Sequence, residues 1–208
     1  MNKRDADKRV YIKLPIVNTE IITRLQKYLK DNIHEEVVPI SKDKLHMTLF
    51  HYGKAQELYE EIKKLNSDLD FDNFLTGFYN LLLTHSDIKR KLNIIIKGAE
   101  LGISNIRPMS DSLDIFGDIN EPVIVLRLKR PAELLEYREE IFKQFKEFLK
   151  DCGVKNIKKF MKVSPNLKYQ VDYNPHVSLG FAHTMDIQLP KIDVSDIQIL
   201  LGGLEVVD

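Results

Sequence analysis

Hydrophobic and polar residues alternate with period two from Arg9 to Leu14 (RVYIKL), and Pro15 closes the run. That pattern predicts a half-buried strand. From Asn18 the period changes. Ile21, Ile22, Leu25, Tyr28, Leu29 and Ile33 fall on one face at helical spacing, with Asn18 or Thr19 as the N-cap. Leu45 to Tyr52 (LHMTLFHY) predicts a second strand stopped by Gly53, and Gln56 to Leu65 a short charged helix. Asp70 to Arg90 carries Phe71, Phe74, Phe78, Leu81, Leu82 and Leu83 at helical spacing without firm caps. Leu92–Ile96 and Val123–Leu128 predict strands by their β-branched content. Gly102 to Asn120 between them is polar, with a short strand expected near Leu113–Phe116. Pro131 opens the longest helix and Gly153 suits the position just past its end. Lys155 to Tyr173 reads as loop, followed by strands at His176–Phe181 and Ile197–Leu201.

The element order is β-α-β-α, then β-β-α-β-β, with no glycine-rich phosphate loop after the first strand. Two halves that each mix helices with a few strands fit an α+β protein better than a doubly wound one. No linker rich in Pro, Gly or Ser divides the 208 residues, so one continuous domain is expected over residues 1–208. The 31 basic and 31 acidic side chains cancel, which argues against a protein that coats nucleic acid in bulk. A lone Cys152 leaves no internal disulfide and no cysteine framework for zinc, and it reads as a packing residue. The polar start of the chain lacks the apolar core of a signal peptide, and no apolar run approaches the ~20 residues that span a bilayer. A cytoplasmic protein without membrane contact or an obligate protein partner is expected.

Chemistry enters with a repeated signature. Leu45-His46-Met47-Thr48-Leu49 lies in the first half and Pro175-His176-Val177-Ser178-Leu179 in the second. Both read histidine, apolar residue, hydroxyl, leucine. One His-x-Ser/Thr among six histidines is a weak signal; two sharing the apolar second and leucine fourth positions are far less expected by chance. Because strand side chains alternate, each segment offers an imidazole and a hydroxyl to one surface and anchors itself through the other. In-line cleavage of a phosphodiester needs a base for the attacking oxygen and an acid for the leaving oxygen. Two imidazoles with ordinary pKa near 6.5 serve that pair, and the hydroxyls can donate to the non-bridging oxygens. Neither motif contains an acidic residue, so no metal and no cofactor is called for.

At these residues the chain resembles the two-histidine (2H) phosphoesterase superfamily, the group of LigT-like RNA ligases and cyclic phosphodiesterases. Leu45 to Gly53 is similar to its first motif strand, Asn174 to Phe181 to its second, and Val10 to Pro15 to its opening strand. The resemblance implies a bilobal α+β fold, two pseudo-symmetric lobes whose antiparallel sheets flank a central cleft. It also implies metal-independent cleavage of 2′,3′-cyclic or 2′–5′ phosphodiesters in nucleotides or RNA, with ligation as related chemistry. Carried onto this chain, His46 and His176 are the acid/base pair, Thr48 and Ser178 the phosphate clamps, and His176 the base with His46 the acid. The motifs lie further apart than in compact members, which places insertions near residues 70–90, 104–120 and 155–173. Two other readings stand beside this one: a hydrolase of 2′–5′ oligoadenylates or cyclic oligonucleotide signals, and a nucleotide-binding module that does not turn over.

Around the pair, Lys155, Lys158, Lys159, Lys162 and Lys168 run toward the second motif with Phe160, Tyr169 and Tyr173 interleaved. A solvated loop explains such a stretch, and a substrate-binding one also does. Lys168 and Tyr173 are the candidates, Tyr173 as a platform for a base. Phe50 and Tyr52 share parity with His46 and Thr48, so lining the cleft competes with core packing for them. The same parity turns His51 away from His46. His34, His85 and His183 read as surface or satisfied structural residues, and Lys89-Arg90-Lys91 as a surface turn.

Overall fold

The computed structural model describes residues 6–33, 36–87, 94–104, 122–167, 170, 173–183 and 187–207. The opening strand, β1 (Arg9–Pro15), buries Val10, Ile12 and Leu14 and turns Tyr11 and Lys13 outward, as its alternation predicts. Helix α1 (Thr19–Asn32) follows. Asn18 stands at its N-cap position but makes no capping bond. Its side-chain amide instead donates to the Gln198 carbonyl at 2.7 Å and accepts from the Leu200 N–H at 2.8 Å. The short strand β2 (Val37–Pro39) was not foreseen; three residues are too few to show a period.

A 3-10 turn (Lys42–Lys44) leads into β3 (His46–Lys54), then α2 (Ala55–Lys63) and α3 (Phe71–Asp87). The missing cap of α3 is Asp70, whose carboxylate accepts from the Asn73 N–H at 2.9 Å. Strands β4 (Ile94–Lys97), β5 (Ala99–Ser104) and β6 (Val123–Leu128) come next. Helix α4 (Ala132–Asp151) starts after Pro131 and ends at Gly153, which has φ +89°, as the sequence predicts. The lysine-rich stretch holds an unforeseen helix, α5 (Ile157–Val163), capped by Asn156. Strands β7 (His176–Ala182), β8 (Gln198–Leu201) and β9 (Glu205–Val207) finish the chain. The strand expected near Leu113–Phe116, His34 and the Lys89–Lys91 run lie outside the described residues.

The two expected sheets are joined edge to edge into one. Its order is β5-β6-β7-β3-β1-β9, all antiparallel, with β2 also paired to β7; β4 and β8 form a separate ribbon. The joint is between the two motif strands, where Met47 pairs with Val177. These residues hold the same place in their motifs, so the centre of the sheet is a pseudo-twofold axis with three strands on either side.

One face of the sheet is apolar. Val10, Ile12, Leu14, Met47, Leu49, Ile124, Leu126, Val177 and Leu179 join residues of all five helices in one buried core. At roughly 1.5–3 kcal/mol per fully buried aliphatic side chain, this face holds the sheet to its helices. The other face carries Tyr11, Lys13, His46, Thr48, His176 and Ser178, all half-buried. No helix among the described residues is long and apolar enough to cross a membrane.

Candidate active site

The register brings the two motifs together. Continuing from the Met47–Val177 pair by one residue each way sets His46 across from Ser178 and Thr48 across from His176. Each hydroxyl thus neighbours the other motif's imidazole, at the ~4.5–5.5 Å of directly opposed strand residues. The two histidines lie on the diagonal, about 7–8 Å apart at their backbones.

Both imidazoles are anchored in the same way. Nδ1 of His46 bonds the Lys44 carbonyl at 2.7 Å, and Nδ1 of His176 bonds the Asn174 carbonyl at 2.8 Å. A carbonyl can only accept, so Nδ1 must carry the proton in both rings. The neutral form of either histidine therefore has its lone pair on Nε2. Arg130 secures the turn before the second motif by donating to Asn174 Oδ1.

A β-bulge interrupts each strand just after its hydroxyl. On β3, Thr48 pairs with Lys13 and Phe50 with Ile12, so Leu49 is the extra residue. On β7, Ser178 pairs with Val125 and Gly180 with Ile124, so Leu179 is the extra one. An inserted residue breaks the alternation of faces, and this corrects three expectations. Phe50 and Tyr52 do not line the open face: both are 0% exposed, packed against Phe142 and Phe145 of α4 and Phe78 of α3. His51 turns the other way, onto the side of His46. There Tyr11 lies between the two rings, 5.7 Å from His46 and 6.3 Å from His51, nearly parallel to both.

Tyr173 is half-buried beside the site, but its contacts are with the protein. The Arg138 guanidinium covers one ring face at 4.4 Å, and the hydroxyl points to the Thr48 carbonyl at 3.4 Å. Arg138 also donates to the Gln170 carbonyl, and Gln170 donates to the His51 carbonyl at 3.0 Å. Together they brace the chain before the second motif against the first motif strand. Lys168 and Tyr169 lie outside the described residues.

Sequence reasoning missed Tyr11, Lys13 and Glu205. Lys13 is paired across the ladder with Thr48 and its ammonium meets Glu205 of β9 at 3.0 Å. The alternation of β1 held the signal for the first two, since it sets Tyr11 and Lys13 on one face. Glu205 had none, because β9 is too short to announce itself.

Burial lowers the pKa of His46 from 6.5, and the charges of Lys13 and of a protonated His176 act in the same direction. The Lys44 carbonyl and Glu205 pull against them. Burial, helped by Arg9, takes His51 down to about 4. His51 Nδ1 accepts from the Gly53 N–H at 3.1 Å, so His51 is neutral with its proton on Nε2, the opposite tautomer from the motif pair. Burial raises the Cys152 thiol to about 11, as suits a packing residue. His85 is neither on the surface nor satisfied. It is 0% exposed and stacks on Tyr52 at 6.0 Å, and its ring nitrogens make no close hydrogen bond, with only the Gln144 side chain near enough to favour its proton. Among the described residues no group of three or more His, Cys, Asp or Glu side chains is gathered closely enough to ligate a metal.

No sequence-family profile matches the chain, and no curated protein sequence does. Solved structures do match in shape. TT0787 of Thermus thermophilus aligns with TM-score 0.57 at 13% identity, over 96% of this chain and 87% of that one. E. coli LigT complexed with 3′-AMP aligns at 0.51 and 13%, over 95% and 85%. A protein described as a phosphoesterase aligns at 0.50 and 15%, over 95% and 86%. By this likeness the chain has the LigT-like fold, shared with TT0787 and E. coli LigT.

Proposed function

We propose that this protein is a phosphodiesterase for 2′,3′-cyclic or 2′–5′ phosphodiester bonds of nucleotides or RNA, working by two-histidine acid/base catalysis without a metal. The observation that carries the proposal is the matched anchoring of His46 and His176 on paired strands, which makes Nε2 the lone-pair nitrogen of both neutral rings. In the reaction one neutral imidazole takes the proton of the attacking oxygen. The other, protonated, gives its proton to the departing ester oxygen. Thr48 and Ser178 donate to the non-bridging oxygens as charge builds there. That LigT, a protein of the same fold, was crystallised with 3′-AMP supports a nucleotide as the ligand.

The test offers the protein 2′,3′-cyclic AMP and 2′–5′-linked ApA in excess EDTA, with the products identified by phosphorus NMR. The account predicts turnover of at least one of them and a single product isomer. A folded protein that turns over neither contradicts it, and nucleotide affinity without turnover favours a binding module.

A further inference from the structure

The pseudo-twofold makes the two histidines equivalent in backbone and anchoring, yet an acid and a base must differ. The difference lies in the strands that flank them. Opposite Thr48 stands Lys13 of β1; opposite Ser178, at the matching place, stands Val125 of β6. Val125 is buried with Val123 and Phe181 in a small apolar cluster. A cation also stands across from His176, namely Arg127, but its guanidinium leans the other way. It lies over Gly102 of β5 and donates to the Ile103 carbonyl at 3.0 Å. Lys13 has a side-chain exposure of 23%, so water screens its charge only in part.

We infer that Lys13, clamped by Glu205, is the positioning residue that divides the labour between the two histidines, making His46 the proton acceptor and His176 the proton donor. This rests on the function proposed above and reverses the assignment drawn from the family resemblance. In the ring-opening step His46 Nε2 takes a proton from water as its oxygen bonds to phosphorus. The ester bond to one ribose oxygen breaks, and that oxygen leaves with the proton of His176. The enzyme is left with His46 charged and His176 neutral, and exchange of one proton each with solvent restores it.

The groups facing His46 all bear on this. Burial most of all disfavours its charged form; Lys13 and His176 on β7 act in the same direction, while the Lys44 carbonyl and Glu205 favour it. Tyr11 covers the ring, and His51 beyond it is neutral. Among the described residues, Lys13 is thus the permanent cation that acts on His46, and Glu205 both fixes its position and moderates it.

The test uses a nucleoside 2′,3′-cyclic phosphorothiolate with sulfur at the bridging position of the bond that breaks. Ring opening of this ester needs a base for the attacking water, but its thiolate departs without an acid. The assignment predicts that His176→Ala retains most of its activity on this ester while His46→Ala loses it by at least ~100-fold. In the His176→Ala protein the pH profile then has a single rising limb that reports His46. Lys13→Met moves that limb up by roughly half a pH unit, the scale of one charge acting across about 7 Å of wet protein. Lys13→Arg leaves it in place and Glu205→Gln moves it down. Retention by His46→Ala instead, or a limb that ignores Lys13→Met, overturns the inference. Wild type inert on both this ester and 2′,3′-cyclic AMP overturns the function itself, a different outcome.

Discussion

Each motif imidazole donates Nδ1–H to a carbonyl two residues upstream, and that one bond sets ring orientation and tautomer together. His51 shares their face with its tautomer reversed and its pKa near 4, so it stays neutral through the working range and serves as a ring against Tyr11. On the proposed mechanism, replacing either hydroxyl, as Thr48→Val or Ser178→Ala, removes one donor to the phosphoryl oxygens. Steady-state kinetics should show kcat falling by about 100-fold with little change in KM. Phe50→Ala should do the opposite, costing roughly 3–5 kcal/mol in chemical denaturation and leaving KM unchanged, because the ring fills the core. A large KM effect would return Phe50 to the open face. The four motif residues were legible because period two holds from His46 to Thr48 and from His176 to Ser178. Phe50, His51 and Tyr52 were misread because the alternation fails at Leu49, and no residue type there announces a bulge.

Among the elements, β7 lies tight against the backbone of β2. Gly180 follows its bulge, and a Cβ there stands 2.8 Å from the Val38 carbonyl of β2. Gly180→Ala must push β2 off β7 and should cost about 1–3 kcal/mol, read as a drop in thermal midpoint. An unchanged midpoint would mean that β2 yields freely. Helix α3 has a different vulnerability. Burial holds His85 at about 4 in the folded protein, against 6.5 when unfolded. Between pH 6.5 and 4 the unfolded chain takes up a proton that the folded one refuses, so stability falls as pH falls, by up to about 3 kcal/mol. Urea midpoints at pH 7 and 5 should diverge in the wild type and diverge less in His85→Leu, where the buried His51 still contributes; an equal fall in both would place the acid sensitivity elsewhere. The helices α1 and α4 and the strands β1, β3, β6 and β7 were legible from their periods. The strands β2, β5 and β9 owe their form to neighbours in the sheet, which no local pattern records.

Over the whole molecule, the pseudo-twofold through Met47 and Val177 puts the two motifs where the halves of the sheet meet. The helices cover one face and leave the other to the polar residues of β1, β3, β6 and β7, so folding itself assembles the site from segments far apart in sequence. The repeat of the motif foretold two related halves; their fusion into one sheet depended on a cross-strand register that sequence does not encode. The central claim is that both histidines do acid/base work on one phosphodiester. The most direct measurement is kcat/KM on 2′,3′-cyclic AMP in excess EDTA for wild type, His46→Ala and His176→Ala, with circular dichroism confirming that all three fold. The account predicts measurable turnover in wild type and a loss of about 100- to 10,000-fold in each variant. Activity in either folded variant near that of wild type would contradict it.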